Sequence, residues 1–176
     1  MSKIFIVIIL SLSIIIQGFG RCVLTDEELL NLTQKQTFRY FWDYAHPVSG
    51  LARERSNRTP ETVTVGGSGF GVMALIVGIE RCFITREQGA ERLLTMVDFL
   101  QNKATRYHGM WAHWINGTTG ETIPFSPKDN GADIVESSFM FEGLLTARQY
   151  FNRNNDVEIR IRAIIDTLWN EAEWTW

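Results

Sequence analysis

Asp129, Asp133 and Glu136 stand close together in the stretch Pro124-Phe125-Ser126-Pro127-Lys128-Asp129-Asn130-Gly131-Ala132-Asp133-Ile134-Val135-Glu136. A loop bearing proline and glycine leads into a helix that carries Ile134, Val135, Phe139, Met140, Phe141, Leu144, Leu145 and Tyr150 on nearly every side. A helix that is apolar all round is expected to be buried. Carboxylates at its mouth need a reason, because burying an unpaired one is costly. Two explanations fit the spacing. In one, Asp133 is the N-cap and Glu136, three positions on, completes a capping box favoured by the helix dipole. In the other, the same spacing puts both acids on one helix face, and Asp129 reaches the same space from a turn earlier. Repulsion within such a cluster tends to raise a carboxyl pKa into the range useful for acid catalysis.

Other groups able to bind or react lie upstream. His113 sits in Trp111-Ala112-His113-Trp114. It has no partner at metal-site or triad spacing, so a structural histidine is the simpler reading. In a strand, Trp111 and His113 would face one side and Ala112 and Trp114 the other. The tryptophans read first as core residues. The run from Val48 to Arg58 reads as a solvated connector, although loops of that length are often functional. In it Arg53 and Arg55 flank Glu54 and suit a carboxylate or a hydroxyl-rich ligand. The stretch Val65-Gly66-Gly67-Ser68-Gly69-Phe70-Gly71 matches neither a dinucleotide fingerprint nor a P-loop. It predicts close backbone packing, with Ser68 capping a helix. No Cys/His spacing suits a metal, so none is expected.

The elements that must position these residues follow from periodicity. Thr25-Asp26-Glu27-Glu28 and Thr85-Arg86-Glu87-Gln88 are capping-box starts. Helices are expected at 26–45, 69–81, 86–102, 133–151 and 156–172. The first, third and fifth are one-sided, and the second and fourth are apolar all round. Asn116 to Gly120 is a hairpin turn between two short strand-like pieces. Alternating outer and inner helices describe a double layer. If all inner helices start at one rim, the Gly66–Gly71 stretch and the acidic segment share one mouth.

The chain has 176 residues, 45% of them hydrophobic, with a net charge of −3. That is enough for one ordinary domain. No basic block exists, so nucleic acid is an unexpected partner. Lys3, the apolar run Ile4 to Ile16 and Gly18-Phe19-Gly20 read as an export signal over residues 1–20. The run is shorter than the roughly 20 residues that span a bilayer. Cys82 reads as a small core residue. Membrane attachment would require a lipid on Cys22, and Arg21 is not the small residue expected before such a cysteine.

Several stretches resemble the bacterial glucoamylase-like glycoside hydrolases, a family that includes endo-β-1,2-glucanases. They are Gln36-Thr37-Phe38-Arg39-Tyr40-Phe41-Trp42, His46-Pro47-Val48-Ser49-Gly50-Leu51-Ala52-Arg53-Glu54-Arg55, Gly66 to Gly71, Phe125-Ser126-Pro127-Lys128-Asp129, and Asp133 with Glu136. The resemblance implies an all-α, (α/α)6 toroid of inner and outer helices with a short β-hairpin insertion. It also implies export and cofactor-free hydrolysis of a β-glucan by carboxylate acid–base chemistry. Asp133 and Glu136 become the catalytic candidates, and Asp129 holds substrate or water. Arg53, Trp111, His113 and Trp114 are glucan contacts by position. Five helices are fewer than six pairs require. Residues 21–176 are therefore expected to be the N-terminal part of the barrel, cut at Trp176, inactive alone, exposing apolar inner faces, and monomeric when full length. The alternative is a non-catalytic exported carbohydrate-binding or interaction module.

Overall fold

The structure, a computed structural model, describes residues 23–57 and 59–176. The export signal expected over residues 1–20 and any lipid on Cys22 fall outside the described residues. Two compact units divide after Thr33. In the first, Thr25 opens helix α1 (Asp26–Asp43) with a reciprocal box. The Thr25 amide donates to Glu28 Oε2 at 2.8 Å and the Glu28 amide to Thr25 Oγ1 at 3.3 Å.

The described core lies in residues 34–176. There the chain runs β1 (Thr62–Thr64), α2 (Val65–Glu80), α3 (Arg86–Asn102), β2 (Arg106–Tyr107), β3 (Met110–Trp111), β4 (Trp114–Asn116), β5 (Thr122–Ile123), α4 (Ile134–Tyr150) and α5 (Asp156–Asn170). Helices dominate and the strands are short, as expected. Thr85 and Gln88 form the predicted capping box on α3, and Asn155 caps α5 through the Glu158 amide at 2.9 Å. The one-sided helices pair: α3 buries Leu93, Met96, Val97 and Leu100, and α5 buries Ile161, Ile164, Ile165 and Leu168.

The apolar helices pair too, with α2 against α4. A Cβ added at Gly143 would come within 2.5 Å of the Gly69 carbonyl oxygen. Glycine at these two positions therefore lets the backbones approach. Full burial of both helices was expected, and it is not found. Phe70, Met73 and Val77 on α2 are exposed, as are Ile134, Val135 and Phe139 on α4. Gly69 and Gly143 bring the two helices together, Gly71 and Gly78 face Phe41 and Phe38, and the exposed Phe70 and Phe139 rings lean on each other with centroids 5.2 Å apart.

Three further expectations are corrected. Helix α2 starts at Val65, so Ser68 is inside it and caps nothing. Its buried hydroxyl donates to the Thr64 carbonyl at 2.6 Å and accepts from the Ala52 amide at 2.9 Å. The connector after α1 is not solvated throughout, since Ser49, Gly50, Leu51 and Ala52 are buried. Cys82 is no core residue. It is exposed with φ +57°, and it turns the chain out of α2 while its amide bonds the Ile79 carbonyl.

The small sheet has the order β1-β4-β5, all antiparallel, with Val63 opposite Ile115 and Trp114 opposite Ile123. The β4–β5 hairpin turns where predicted. Asn116 Oδ1 accepts from the Thr118 and Thr119 amides at 2.9 and 3.0 Å. Strand β1, which sequence reading did not find, ties the segment before α2 to this hairpin.

Candidate active site

The N-termini of α2 and α4 meet, and the acids lie where they meet. Asp133 caps α4: its Oδ1 accepts from the Val135 and Glu136 amides at 2.9 and 3.0 Å. Its Oδ2 lies 3.2 Å from His113 Nδ1. A carboxylate only accepts, so Nδ1 carries the hydrogen in this pair. Both oxygens of Asp133 are therefore engaged. Trp111 holds the segment in place. Its carbonyl accepts from the Asp133 amide at 2.8 Å, and its amide donates to Ser137 Oγ at 2.9 Å. These bonds bring His113, two residues on, to the cap.

Glu136 does not complete the capping box. It reaches across to α2, where Oε2 accepts from the Gly66 amide at 2.8 Å and from Thr64 Oγ1 at 3.0 Å. Among the described residues Oε1 has no hydrogen-bond partner. The capping explanation thus accounts for Asp133 and only partly for Glu136. Half-buried, with one oxygen anchored and one open, Glu136 is built to present a carboxylate.

An aromatic shelf adjoins the acids. The Phe125 ring centroid lies 4.5 Å from that of His113 and 4.8 Å from that of Trp114, and the His113 and Trp114 rings meet edge-on at 5.5 Å. Phe125 is exposed and Trp114 half-buried, so the shelf has an apolar face toward solvent. Phe125 was not singled out from sequence. Its place in the acidic loop was the available signal, and an aromatic in a polar loop is the pattern to notice.

The other candidates fall differently. Asp129 closes a tight turn in which its carbonyl accepts from the Phe125 amide at 2.9 Å and its amide donates to Ser126 at 3.0 Å. Among the described residues, no hydrogen bond or ion pair joins its side chain to Asp133 or Glu136. Trp111 is wholly buried against Phe141 and has no face for a ligand, which corrects its reading as a glucan contact. The cause is local. The strand breaks between β3 and β4, so alternation fails and Trp111 and Ala112 both turn inward. Among the described residues, no hydrogen bond or ion pair joins Arg53 to the acids. Its Nε donates to the Pro60 carbonyl at 3.0 Å, and it lines a cleft of about 380 Å³ with Arg55, Ser56, Asn57 and Thr59. Among the described residues, no group of three or more His, Cys, Asp or Glu is placed to hold a metal.

No family model matches the chain. It is 54% identical over 154 residues to an exo β-1,2-glucooligosaccharide sophorohydrolase (non-reducing end) of Parabacteroides distasonis, a match covering 87% of this chain and 21% of that protein. Its fold is similar to that of a candidate glucoamylase from Bacteroides uniformis, with a TM-score of 0.85 and 69% identity over 86% of this chain and 37% of that one. It is similar also to the endo-β-1,2-glucanase of Chitinophaga pinensis, solved with sophorotriose and glucose. That TM-score is 0.84, with 53% identity over 88% of this chain and 38% of that one. The chain therefore spans about a fifth of the curated relative and less than two fifths of these solved chains.

Proposed function

We propose that this relative of glucoamylase-like, β-1,2-glucan-degrading glycoside hydrolases carries acid–base residues of a hydrolase acting on β-glucan, with β-1,2-glucan as its substrate. The observation that carries the reading is Glu136, anchored through one carboxylate oxygen and open at the other beside an aromatic shelf. Glycoside hydrolysis needs a carboxyl group that gives or takes a proton at the scissile bond, and a second one about 5–9.5 Å away. Glu136 is the reacting group of this chain. Asp133 holds the His113 ring and the start of α4. Asp129, on the loop between shelf and cap, holds substrate or a water. Trp114 and Phe125 offer apolar faces to sugar rings. Export, through the apolar segment over residues 1–20, would put the protein where polymeric glucan is met.

A binding module that does not turn glucan over is the second reading. The full engagement of Asp133 favours it. Incubation with β-1,2-glucan separates the two. New reducing ends that vanish in Glu136→Gln support the hydrolase. Binding of sophorotriose without new ends supports the module.

A further inference from the structure

We infer that Thr64 and Gly66 are positioning residues: they form a cradle that grips one oxygen of the Glu136 carboxylate and leaves the other free to react. The inference rests on the reading of Glu136 as the reacting group. It gives the glycine-rich stretch, which fits no phosphate or dinucleotide pattern, a part in the site.

Four observations carry it. Thr64 occupies the N-cap of α2, where a threonine hydroxyl ordinarily accepts from an amide of its own helix. It makes no such bond; Oγ1 donates instead to Glu136 Oε2 at 3.0 Å. The Gly66 amide is one of the first-turn donors that a helix leaves unsatisfied, and it points at the same oxygen at 2.8 Å. A Cβ at position 66 would stand 2.7 Å from that oxygen and 3.0 Å from the carboxyl carbon. A side chain there would push the Glu136 carboxylate off the Gly66 amide, so glycine keeps the cradle open to it. Finally, the cradle is itself braced. The Thr64 carbonyl accepts from Ser68 Oγ at 2.6 Å, and the Thr64 amide donates to the Ala52 carbonyl at 3.0 Å. In the sheet Thr64 pairs with Trp114, so the grip on Glu136 and the aromatic shelf share one register.

A cross-helix cap with no part in chemistry would show the same bonds, so the test needs readouts that stability does not move. Thr64→Val keeps the shape and removes the hydroxyl, and Thr64→Ser restores it. In the wild-type chain, NMR should show a slowly exchanging Gly66 amide and a rigid Glu136 side chain. In Thr64→Val the Glu136 side chain should become mobile, and Thr64→Ser should bring it back. On β-1,2-glucan, Thr64→Val should lower kcat about 10- to 100-fold with KM unchanged, the size expected for one hydrogen bond to a charged group. Thr64→Ser should recover most of that loss. Unchanged Glu136 dynamics in Thr64→Val overturn the cradle. So does a kcat loss that Thr64→Ser fails to rescue. If the full-length wild-type protein releases no reducing ends, the hydrolase reading fails, and the NMR comparison still decides the cradle.

Discussion

The His113 ring and the Asp133 carboxylate meet at 3.2 Å, Nδ1 to Oδ2, while the other Asp133 oxygen caps α4. One side chain thus orients an imidazole and starts a helix, and a single substitution separates the two duties. Asparagine caps about as well as aspartate, so Asp133→Asn should move the thermal midpoint by less than about 4 °C. It gives His113 no charged partner, so glucan hydrolysis should fall at least about tenfold. Calorimetry and a reducing-end assay on one preparation check both. Wild-type hydrolysis in the variant would limit Asp133 to capping.

Away from the site, Arg86 grips Glu158 through two bonds of 2.9 Å and the Tyr150 carbonyl through one of 2.7 Å. The pair joins the starts of α3 and α5 to the end of α4. Glu158 is almost fully buried. Burial alone would raise its pKa, but the Arg86 bonds and the Arg153 amide outweigh that and hold it below the ordinary carboxylate range. Stability from this group is therefore full above its unfolded pKa, about 4.5, and is lost as pH falls through the lower folded value. Glu158→Gln leaves Arg86 without its counter-charge and should cost about 3–5 kcal/mol in urea unfolding at pH 7.

His46 gives a second pH dependence. It is buried, and its Nδ1 accepts from the Val48 and Ser49 amides at 3.3 and 3.4 Å, so Nε2 carries the proton toward Glu61. Burial pushes its pKa below 6.5, against the opposing pull of Glu61. The unfolded chain then binds a proton more readily than the folded one between the folded pKa and 6.5. Stability should be full above about pH 6.5 and decline as pH drops below it. Urea midpoints between pH 5 and 7.5 test this. A flat profile over that range, or one that rises toward acid, would contradict it.

The contact between α2 and α4 yields a steric prediction. Gly143→Ala puts a methyl where the Gly69 carbonyl oxygen stands 2.5 Å away. Overpacking of this kind costs about 1–3 kcal/mol. The gain in helix propensity, about 1 kcal/mol, does not offset it. A thermal melt showing net stabilisation would mean that the two backbones can part without penalty.

Local signals were legible in the sequence, and distant partners were not. The caps at Thr25, Thr85 and Asp133 lie within three residues of the amides they bond, so spacing alone exposed them. The alternation of one-sided and all-apolar helices gave the layering, and with it the shared mouth of the Gly66 stretch and the acids. The partner of Glu136 lies 70 residues upstream, and although the layering put both segments at one mouth, no local spacing pairs that carboxylate with the Gly66 amide. Strand β1 is three residues long and finds its partner some fifty residues later, which periodicity cannot reveal. Trp111 is core, as its residue type suggested; only its assignment as a glucan contact by position fails, because the strand breaks between β3 and β4. Cys82 is read as core from its apolar neighbours at a helix end, but there the chain turns out of α2 with φ +57° and leaves the side chain exposed.

The most direct measurement is the release of reducing ends from β-1,2-glucan by the full-length protein that carries this chain and by its Glu136→Gln variant. Release by the wild type, reduced at least about 100-fold in the variant as expected when a proton-transferring carboxylate is removed, is the predicted result. Equal rates in the two proteins would contradict the role given to Glu136 and the hydrolase reading built on it.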